Sequence, residues 1–599
     1  MGILDCYIPS RTLDYLKSEI DFNRPYNALN ELIYNEFGIV EFFRNSLDVV
    51  ELKRAIFEFS ENEVNESRAE YGDFQTNESL AKRVVNVLAS KNILPKVIIE
   101  PTCGKGNIIL SALDVFKGAV AVYGIEIYKP YVWECKFKII EYYLKRTRAS
   151  KPDIHIIHGN VFDYDFNKIA DQTKENEVLI IGNPPWVNNA KLGSLNSDNL
   201  PKKSNFKEIK GIDAITGKGN FDIAESIILN LISLFHGHNG RMALLIKKSV
   251  GKNIIYDQKK NKFEIAEIEN FSIDSKAEFE VSVEASLFSL QFNRPATFVC
   301  KELDIYEIQD NINNEESIDS KDLNCFGWFE NKFVSDIRLY KKAGVIDGVC
   351  SIVWRQGVKH DCSSVMEFTI KEANYVNGLN EEFILEKDLV YGIIKSSDLK
   401  EDIVNRSRKY TIITQRKVGQ DTNYIKIKYP KTFNYLDRNF SFFQKRKSSI
   451  YKNKPPFSIF GIGDYSFKPY KVAISGLYKS FKFSLVVPEL EKPLMLDDTC
   501  YFIGFDKIEH AVYTLLLLNS EIVIQFLKSI TFIDAKRTFT KDVLMRIDIY
   551  KVSKEVNLES FQEKLDEFNL KHGFNLDLGS WDEYINLLQP VKNQQLELF

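Results

Sequence analysis

Five short apolar runs alternate with helical stretches, and this alternation restricts the fold more than any other feature of the chain. The runs are VIIE (97–100), AVYGIEI (121–127), IHIIHG (154–159), VLIIG (178–182) and RMALLIK (241–247). Continuous apolar strands separated by helices are typical of a parallel sheet that is buried on both faces. The pattern therefore predicts an α/β, Rossmann-like fold with a doubly wound, mainly parallel sheet.

The 599 residues are too many for one ordinary domain, and the texture of the sequence predicts four regions. Residues 1–70 are amphipathic and predict a helical region, and residues 71–300 contain the alternating strands and helices. A charged, irregular stretch near 300–330 predicts a boundary. Beyond it, mixed strands and helices predict an α+β domain over 328–555, followed by a helix and a tail over 556–599.

The sequence also argues against secretion and against a membrane span. The longest apolar candidate, Leu515 to Leu527, is interrupted by Asn519, Ser520 and Glu521 and falls short of the roughly 18 apolar residues that a span needs. The first 21 residues lack a signal-peptide pattern. Eight cysteines include no CxxC pair, so neither a disulfide framework nor a zinc ribbon is expected. We expect no metal to be required. We therefore expect a cytoplasmic protein without membrane contact.

Charge is distributed unevenly along the chain. Between Arg406 and Lys482 there are 18 Lys or Arg residues and three acids, a net charge of +15. The rest of the chain has 61 basic and 80 acidic residues, a net charge of −19. A basic segment inside an acidic chain predicts that this segment binds a polyanion.

A glycine-bearing turn follows the first strand of the alternating region. It reads Glu100-Pro-Thr102-Cys-Gly104-Lys-Gly106-Asn and leads into the apolar stretch IILSALDVF. Glycines at a strand-to-helix turn allow backbone N–H groups and a ligand to approach closely, at the sheet edge where open α/β sheets bind ligands. The turn predicts a nucleotide-like ligand.

Polar residues follow the next two strands at the same predicted edge. Glu126 ends the second strand, 26 residues after Glu100, where an acid can accept hydrogen bonds from both hydroxyls of a ribose. The third strand ends in Gly159, Asn160 and Val161, which offer a polar group and an apolar face to an adenine ring. Ordinary turn residues remain the alternative for Asn160.

The tetrad Asn183-Pro184-Pro185-Trp186 directly follows the fourth strand. The prolines fix a rigid turn and leave the Asn183 side-chain oxygen and the Pro184 carbonyl as acceptors at the sheet edge. Both acceptors can bind the hydrogens of one planar NH2 group. This hydrogen bonding opposes delocalisation of the nitrogen lone pair and makes the amine a better nucleophile. Trp186 offers a face on which a target ring can stack. The tetrad predicts chemistry on an exocyclic amine.

These motifs resemble those of the N6-adenine DNA methyltransferases in which the cofactor motifs come first and a target-recognition domain is C-terminal. The resemblance covers roughly residues 70 to 550 and implies a Rossmann-like methyltransferase domain that uses S-adenosylmethionine. It implies catalysis by Asn183, Pro184, Pro185 and Trp186. The residues that it implies for cofactor binding are Thr76, Glu100, Thr102, Gly104, Gly106, Glu126, Asn160, Val161 and Asn183.

Three further stretches carry the resemblance with differences. The stretch Gly72 to Thr76 looks like the motif that contacts the cofactor carboxylate, but Asn77 stands where a proline is usual. Asn160 stands where an aspartate usually meets the adenine amine, and an amide oxygen can still accept that bond. Gly219 to Asp222 resembles a motif that closes the cofactor pocket, although Asp222 is equally a helix N-cap.

The resemblance implies a sequence-specific enzyme that flips an adenine out of duplex DNA and methylates N6, within a restriction-modification or related system. A separate restriction endonuclease is an expected partner. RNA-base or protein-glutamine methylation and a non-catalytic DNA-binding subunit are the alternatives. A nuclease in the same chain is a further possibility, but residues 1–70 contain no convincing pair of acids followed by ExK.

The basic segment interleaves its charges with aromatic residues, which is a pattern of nucleic-acid binding but also of a charged surface over an aromatic core. We expect phosphate contacts from Arg438, Lys445, Arg446, Lys447, Lys452 and Lys454. The stretch Trp354 to Asp361 is dense in side chains that can read bases, and structural hydrogen bonds are an equal alternative there.

The sequence ends in Gln595, Leu596, Glu597, Leu598 and Phe599. This ending resembles the short peptides by which bacterial DNA-processing proteins dock onto the replication sliding clamp. Apolar anchors at a chain end suit insertion into a partner's pocket through Gln595, Leu596, Leu598 and Phe599. Packing of the tail on its own domain is the alternative.

Overall fold

The computed structural model describes residues 6–57, 75–146, 151–187, 222–308, 324–372, 374–478, 480–532 and 538–589. The chain divides into two compact units, residues 1–333 (unit 1) and 334–599 (unit 2). The finer predicted boundaries at residues 70, 300, 328 and 555 stay predictions.

Unit 1 is built on a sheet of eleven described strands. In chain order they are β1 (Ile39–Val40), β2 (Val97–Glu100), β3 (Ala121–Glu126), β4 (Asp153–His158), β5 (Val178–Gly182), β6 (Gly240–Lys247), β7 (Ile265–Ile273), β8 (Ala285–Phe292), β9 (Val299–Asp304), β10 (Cys325–Phe329) and β11 (Lys332–Val334). Their order in the sheet is β1-β4-β3-β2-β5-β6-β8-β7-β9-β10-β11. The six strands from β1 to β6 are mutually parallel, and β8 is inserted antiparallel between β6 and β7. This topology confirms the predicted α/β class.

The helices of unit 1 are α1 (Ser10–Ser18), α2 (Tyr26–Phe37), α3 (Ser46–Phe57), α4 (Glu78–Ala89), α5 (Asn107–Val115), α6 (Lys129–Leu144), α7 (Asn167–Gln172), α8 (Ile223–Phe235), α9 (Lys248–Asn261) and α10 (Ser275–Phe279). Local sequence explains several of their ends. Asn77 caps α4, because its side chain accepts a hydrogen bond from Leu80 N at 2.8 Å. Helix α2 ends at Gly38, whose φ of +73° continues the chain out of the helix.

The N-terminal helices share one hydrophobic core with α6. Phe42 and Phe43 are fully buried and lie beside Trp133, with ring centroids 5.3 and 6.0 Å away. Thr12 Oγ1 donates to Phe137 O at 3.0 Å, and β1 adds a strand next to β4. Residues 6–57 are therefore packed as part of unit 1.

Unit 2 contains two smaller sheets. The five-stranded sheet has the order β12 (Arg355–Gln356), β22 (Cys500–Phe505), β19 (Tyr470–Ser475), β20 (Ser484–Val486) and β17 (Ile403–Val404). The six-stranded sheet has the order β15 (Glu382–Phe383), β14 (Asn374–Asn377), β13 (Glu367–Lys371), β18 (Lys409–Ile412), β16 (Val390–Ile394) and β21 (Met495–Leu496). The mixture of sheets and helices in this unit is α+β, as predicted.

The α-helices of unit 2 are α11 (Ile337–Ala343), α12 (Ser363–Met366), α13 (Tyr424–Lys428), α14 (Pro430–Arg438), α15 (Phe440–Gln444), α16 (Ile508–Leu518), α17 (Glu521–Ile530), α18 (Lys541–Leu544), α19 (Ile549–Glu555), α20 (Leu558–His572) and α21 (Trp581–Leu588). Its 3₁₀ helices are Gly344–Ile346, Lys387–Leu389, Ser396–Asp398, Ser449–Tyr451 and Asp464–Phe467.

The apolar candidate Leu515 to Leu527 is divided between two helices, α16 and α17, which are separated at Asn519 and Ser520. Asn519 Nδ2 donates to Phe483 O at 3.0 Å, so its side chain is occupied by a neighbouring segment. In the described ranges no single helix is both long and apolar enough to cross a membrane. Helices α16 and α17 reach that length and apolar character only when they are taken together, and they are bent by 60° at the break between them.

Candidate active site

The predicted site segments meet at the carboxyl edge of the unit 1 sheet. Strands β4, β3, β2 and β5 are neighbours in that order, and the sheet changes direction of winding between β2 and β5. Ile99 of β2 lies opposite Ile180 of β5, so the turn after Glu100 and the tetrad after Gly182 leave the sheet side by side. Such a topological switch point is where open α/β sheets bind ligands.

The turn after β2 has the backbone conformation that glycine permits. Gly104 and Gly106 have φ values of +50° and +80°. A Cβ atom on Gly106 would lie 2.4 Å from Cys135 Sγ, and one on Gly104 would lie 2.7 Å from Gln75 Oε1. Side chains at either position would therefore clash with their neighbours and strain the turn.

Glu126 at the end of β3 fixes the same turn. Its Oε2 accepts from Gly104 N at 2.9 Å and its Oε1 accepts from Tyr128 N at 2.7 Å. The carboxylate is buried and lies at the junction of the two neighbouring strand ends. The predicted residues Gly104 and Glu126 are thus brought together by a direct hydrogen bond.

Thr76 joins the turn to the tetrad. Its Oγ1 accepts from Asn183 Nδ2 at 3.2 Å, and its backbone oxygen accepts from Asn107 Nδ2 at 2.8 Å. Thr102 Oγ1 donates to Asn183 O at 3.3 Å and adds a second link. Because Asn183 Nδ2 is held by Thr76, the orientation of the Asn183 carboxamide is set.

Two residues around this turn were not predicted individually. Gln75 Oε1 accepts from Lys105 N at 3.2 Å, and Asn107 Oδ1 accepts from Lys138 Nζ at 3.2 Å. Both lie next to predicted residues, so proximity to the motif was the signal that could have found them.

Glu100 is a buried acid whose two carboxylate oxygens are not both hydrogen-bonded. It is 2% exposed, and its Oε2 has no hydrogen-bond partner among the described residues. Burial raises the pKa of Glu100 well above its usual value, and the nearby Cys135 thiol adds to the shift. A cationic ligand group at this place would satisfy the oxygen and favour the charged carboxylate.

The tetrad places Trp186 inward. The ring is 5% exposed, Nε1 donates to Leu245 O at 3.1 Å, and the ring meets Phe279 edge to face with centroids 4.9 Å apart. Sequence reasoning did not identify Phe279 as a neighbour of the tetrad. Stacking of a target base on Trp186 stays a prediction.

Asn160 and Val161 follow β4 at the predicted edge. Asn160 Oδ1 accepts from Phe162 N at 3.0 Å, as in an ordinary Asx turn. An amide oxygen can accept a second bond, so an adenine contact stays a prediction. Val161 is buried.

Asp222 is the N-cap of α8, with Oδ1 accepting from Ala224 N at 3.1 Å. Its Oδ2 pairs at 2.5 Å with Lys247 Nζ, at the end of β6, and burial still raises the pKa of Asp222. Ile223 N donates to Val187 O at 3.0 Å, which ties α8 to the residue after the tetrad. Residues 188–221, including Gly219, lie outside the described residues.

The predicted DNA-binding residues of unit 2 fall into two groups. Arg438, Lys445, Lys447, Lys452 and Lys454 are exposed, and Arg438 lies 3.7 Å from Glu381. Arg446 is half-buried instead: it donates to Ser458 O at 2.7 Å, and its guanidinium carbon is 3.7 Å from the Tyr451 ring centroid. Burial lowers the pKa of Arg446. The predicted clamp residues, Gln595, Leu596, Leu598 and Phe599, lie outside the described residues.

Comparisons with known proteins place these motifs in a family. The N-6 DNA Methylase family model matches residues 55–266. The type II methyltransferase M.NspV of Nostoc sp. is 37% identical over 495 residues, which cover 82% of this chain and 99% of that protein. The type II methyltransferase M.BanIII of Aneurinibacillus aneurinilyticus is 30% identical over 154 residues, covering 24% of this chain and 26% of its own. Among solved structures, the type IIL restriction-modification enzyme MmeI in complex with DNA has a TM-score of 0.47 and 12% identity, covering 91% of this chain and 83% of that chain.

Proposed function

Since the chain belongs to the N-6 DNA methylase family and matches a type II methyltransferase over most of its length, we propose that it modifies a specific DNA sequence within a restriction-modification system. It is a site-specific DNA methyltransferase that acts on the N6 amine of adenine. This membership favours DNA over the RNA and protein-glutamine alternatives. The complete tetrad and glycine turn argue against a non-catalytic subunit.

The methyl donor is S-adenosylmethionine, which supplies an electrophilic methyl group on a sulfonium when bound. The residues at the switch point fit it. Gly104 and Gly106 form a cradle that a Cβ atom would fill, and the unpartnered Glu100 Oε2 can accept from the donor's ammonium group. The Glu126 carboxylate, at the end of the next strand, can accept from the ribose hydroxyls.

The tetrad orients the target amine. The Asn183 side-chain oxygen and the Pro184 carbonyl would each accept one hydrogen bond from the adenine NH2, which localises the lone pair for in-line attack. The amine cannot reach this edge from a stacked base pair, so the base must be flipped out, at a cost of a few kcal/mol. The contribution of Asn183 is positioning and electrostatic stabilisation.

The observation that carries the proposal is the bridge through Thr76, which contacts both Asn107 at the glycine turn and Asn183 in the tetrad. The two substrate-binding elements are therefore held at one edge of the sheet. The exposed lysines of unit 2 are proposed to bind DNA phosphates, and the cognate restriction endonuclease is proposed to be a separate chain.

Sequencing that detects modified bases, on DNA from cells expressing the wild-type chain or Asn183→Ala, tests this function. We expect N6-methyladenine at one sequence with the wild type, and at least about a 100-fold lower methyl-transfer rate with Asn183→Ala at nearly unchanged cofactor affinity. Absence of N6-methyladenine in the wild-type sample, or more than about a tenth of wild-type turnover in the variant, contradicts the proposal.

A further inference from the structure

Two exposed arginines of unit 2 are stacked on aromatic rings of the same short helix. The guanidinium carbon of Arg355 lies 4.8 Å from the Tyr465 ring centroid, and that of Arg416 lies 4.0 Å from the Phe467 ring centroid. Both rings belong to the 3₁₀ helix Asp464–Phe467 and are two residues apart. The two side chains are therefore organised by one element.

The rings are themselves fixed. Tyr465 packs against Phe502 with centroids 6.0 Å apart, and Phe467 meets Tyr391 edge to face at 5.8 Å. Each ring is thus in contact with an aromatic neighbour as well as with one arginine. Stacking restricts a long side chain before it binds anything, which lowers the entropy cost of recognition.

The backbones of both arginines are also anchored. Arg355 lies in β12, at the edge of the five-stranded sheet, and is paired with Phe502. Arg416 follows β18 of the other sheet, and its N–H donates to Gln420 Oε1 at 2.7 Å. The two arginines thus come from different segments and contact two rings of one short helix.

Neither guanidinium is paired with a carboxylate in the part of the chain that the structure describes. Among the described residues, no carboxylate oxygen lies within 4.0 Å of either group. Other arginines of unit 2 are paired with a carboxylate: Arg408 with Asp398, Arg438 with Glu381 and Arg546 with Asp347. Arg446 also lies over an aromatic ring, but it is half-buried and donates hydrogen bonds to backbone oxygens.

We propose that Arg355 and Arg416 each read a guanine in the major groove of the recognised DNA sequence, a specificity role that rests on the proposed function. A guanidinium fork matches the O6 and N7 acceptors of guanine in a bidentate arrangement. The exposed lysines between 445 and 454 have compact ammonium groups suited to phosphate contacts without sequence information. Recognition and general affinity would then be divided between two sets of residues.

A double-mutant cycle tests this assignment. Duplexes carrying the sequence that the wild type modifies are made with 7-deazaguanine, which lacks the N7 acceptor, at each guanine in turn. Equilibrium binding is measured for the wild type, Arg355→Met, Arg416→Met and the control Arg406→Met, an exposed arginine with no ring or acid contact among the described residues. Methionine keeps an apolar stem and has no hydrogen-bond donor. Thermal unfolding confirms that each variant is folded.

When 7-deazaguanine replaces particular guanines, we expect the affinity of the wild type and of the control to fall roughly 5- to 150-fold. Arg355→Met should be insensitive to the analogue at one of these guanines and Arg416→Met at another, because neither variant has a donor for N7. Modified-base sequencing should show relaxed preference at the same positions.

Three results overturn the assignment. The first is a recognised sequence without a G·C pair. The second is additivity, in which the analogue weakens binding by the same factor in the wild type and in the arginine variants. The third is an equal loss of affinity for every duplex together with a flatter salt dependence, which would indicate phosphate contacts. Failure of the proposed function is distinguishable, because it would appear earlier, as the absence of sequence-specific adenine methylation by the wild type.

Discussion

At the scale of single residues, Thr76 is the most informative side chain of the site. Sequence resemblance assigns it to the cofactor, and the structure shows its hydroxyl holding the Asn183 carboxamide at 3.2 Å. This bond spans 107 residues of sequence. No local pattern predicts a pairing at that separation, which is why it emerged only from the fold.

The first prediction follows from this bond. Thr76→Val keeps the shape of the side chain and removes the acceptor for Asn183 Nδ2. We expect kcat for methyl transfer to fall about tenfold, the effect of roughly 1.4 kcal/mol from one lost hydrogen bond, with little change in cofactor affinity. Thr76→Ser retains the hydroxyl and should restore most of the rate. A Thr76→Val enzyme with wild-type kcat would show that the bond does not position Asn183.

The second prediction concerns Glu126, whose two oxygens accept from Gly104 N and Tyr128 N. Glu126→Gln replaces one acceptor by an NH2 donor that faces a backbone donor, and it removes the charge that would bind the ribose. Calorimetric titration with S-adenosylmethionine should show at least about tenfold weaker binding. Unchanged affinity in a folded Glu126→Gln variant would mean that the ribose binds elsewhere.

At the scale of elements, the central strands were predictable and the periphery was not. The five apolar runs match β2 to β6 within about one residue, because parallel strands buried on both faces need continuous apolar sequence. The two-residue strand β1 has too little sequence to carry a pattern, and it forms only because Ile39 and Val40 pair with β4. Pairing partners of short strands are decided by tertiary packing.

The site shows the same division. Sequence patterns located the glycine turn, Glu126 and the tetrad, because each follows a recognisable strand. They did not reveal that Trp186 faces Phe279 or that Arg446 is half-buried against Tyr451. Such contacts depend on which side chains the fold brings together, and a single sequence does not contain that information locally.

Strand β19 supplies the third prediction, through Lys471 in its interior. The side chain is fully buried, donates to Lys468 O at 2.6 Å, and burial lowers the pKa of Lys471 to about 7. Between that pH and the unfolded value near 10.4, the unfolded chain binds more protons, so stability rises with pH across this window. Below about pH 7 the buried ammonium carries its full desolvation cost.

Lys471→Met removes this cost with a side chain of similar length. We expect the variant to have a higher Tm than the wild type at pH 6, and the difference to shrink as the pH rises toward 10. Thermal unfolding at a series of pH values measures it. A difference in Tm that is constant over this range would mean that Lys471 does not titrate in the folded protein.

At the scale of the whole molecule, charge separates the segment 406–482, at +15, from the rest of the chain, at −19. The fourth prediction tests the exposed part of this segment. Lys445→Glu with Lys447→Glu should weaken DNA binding and flatten the slope of log affinity against log salt by about 2. Arg446 is left unchanged, because its side chain is engaged by Ser458 O and the Tyr451 ring, and its replacement would disturb the fold.

The matched control makes the same change in net charge on unit 1, with Lys17→Glu and Lys117→Glu. Both lysines are exposed, and neither forms an ion pair with a described residue. Filter-binding titrations at several salt concentrations compare the two double variants. If both variants shift the salt slope equally, net charge alone governs binding and the segment has no local role.

The bridge through Thr76 has a thermodynamic consequence for how the binding of the two proposed substrates is coupled. One residue contacts both the turn that we propose to bind the methyl donor and the amide that we propose to bind the adenine. Occupancy of one pocket would then change the free energy of filling the other. Linkage is reciprocal: whatever factor the donor adds to the affinity for the target sequence, the target sequence adds to the affinity for the donor. An enzyme whose bound donor strengthens its binding to the recognition sequence would bind that sequence less tightly once the donor has lost its methyl group and its sulfonium charge.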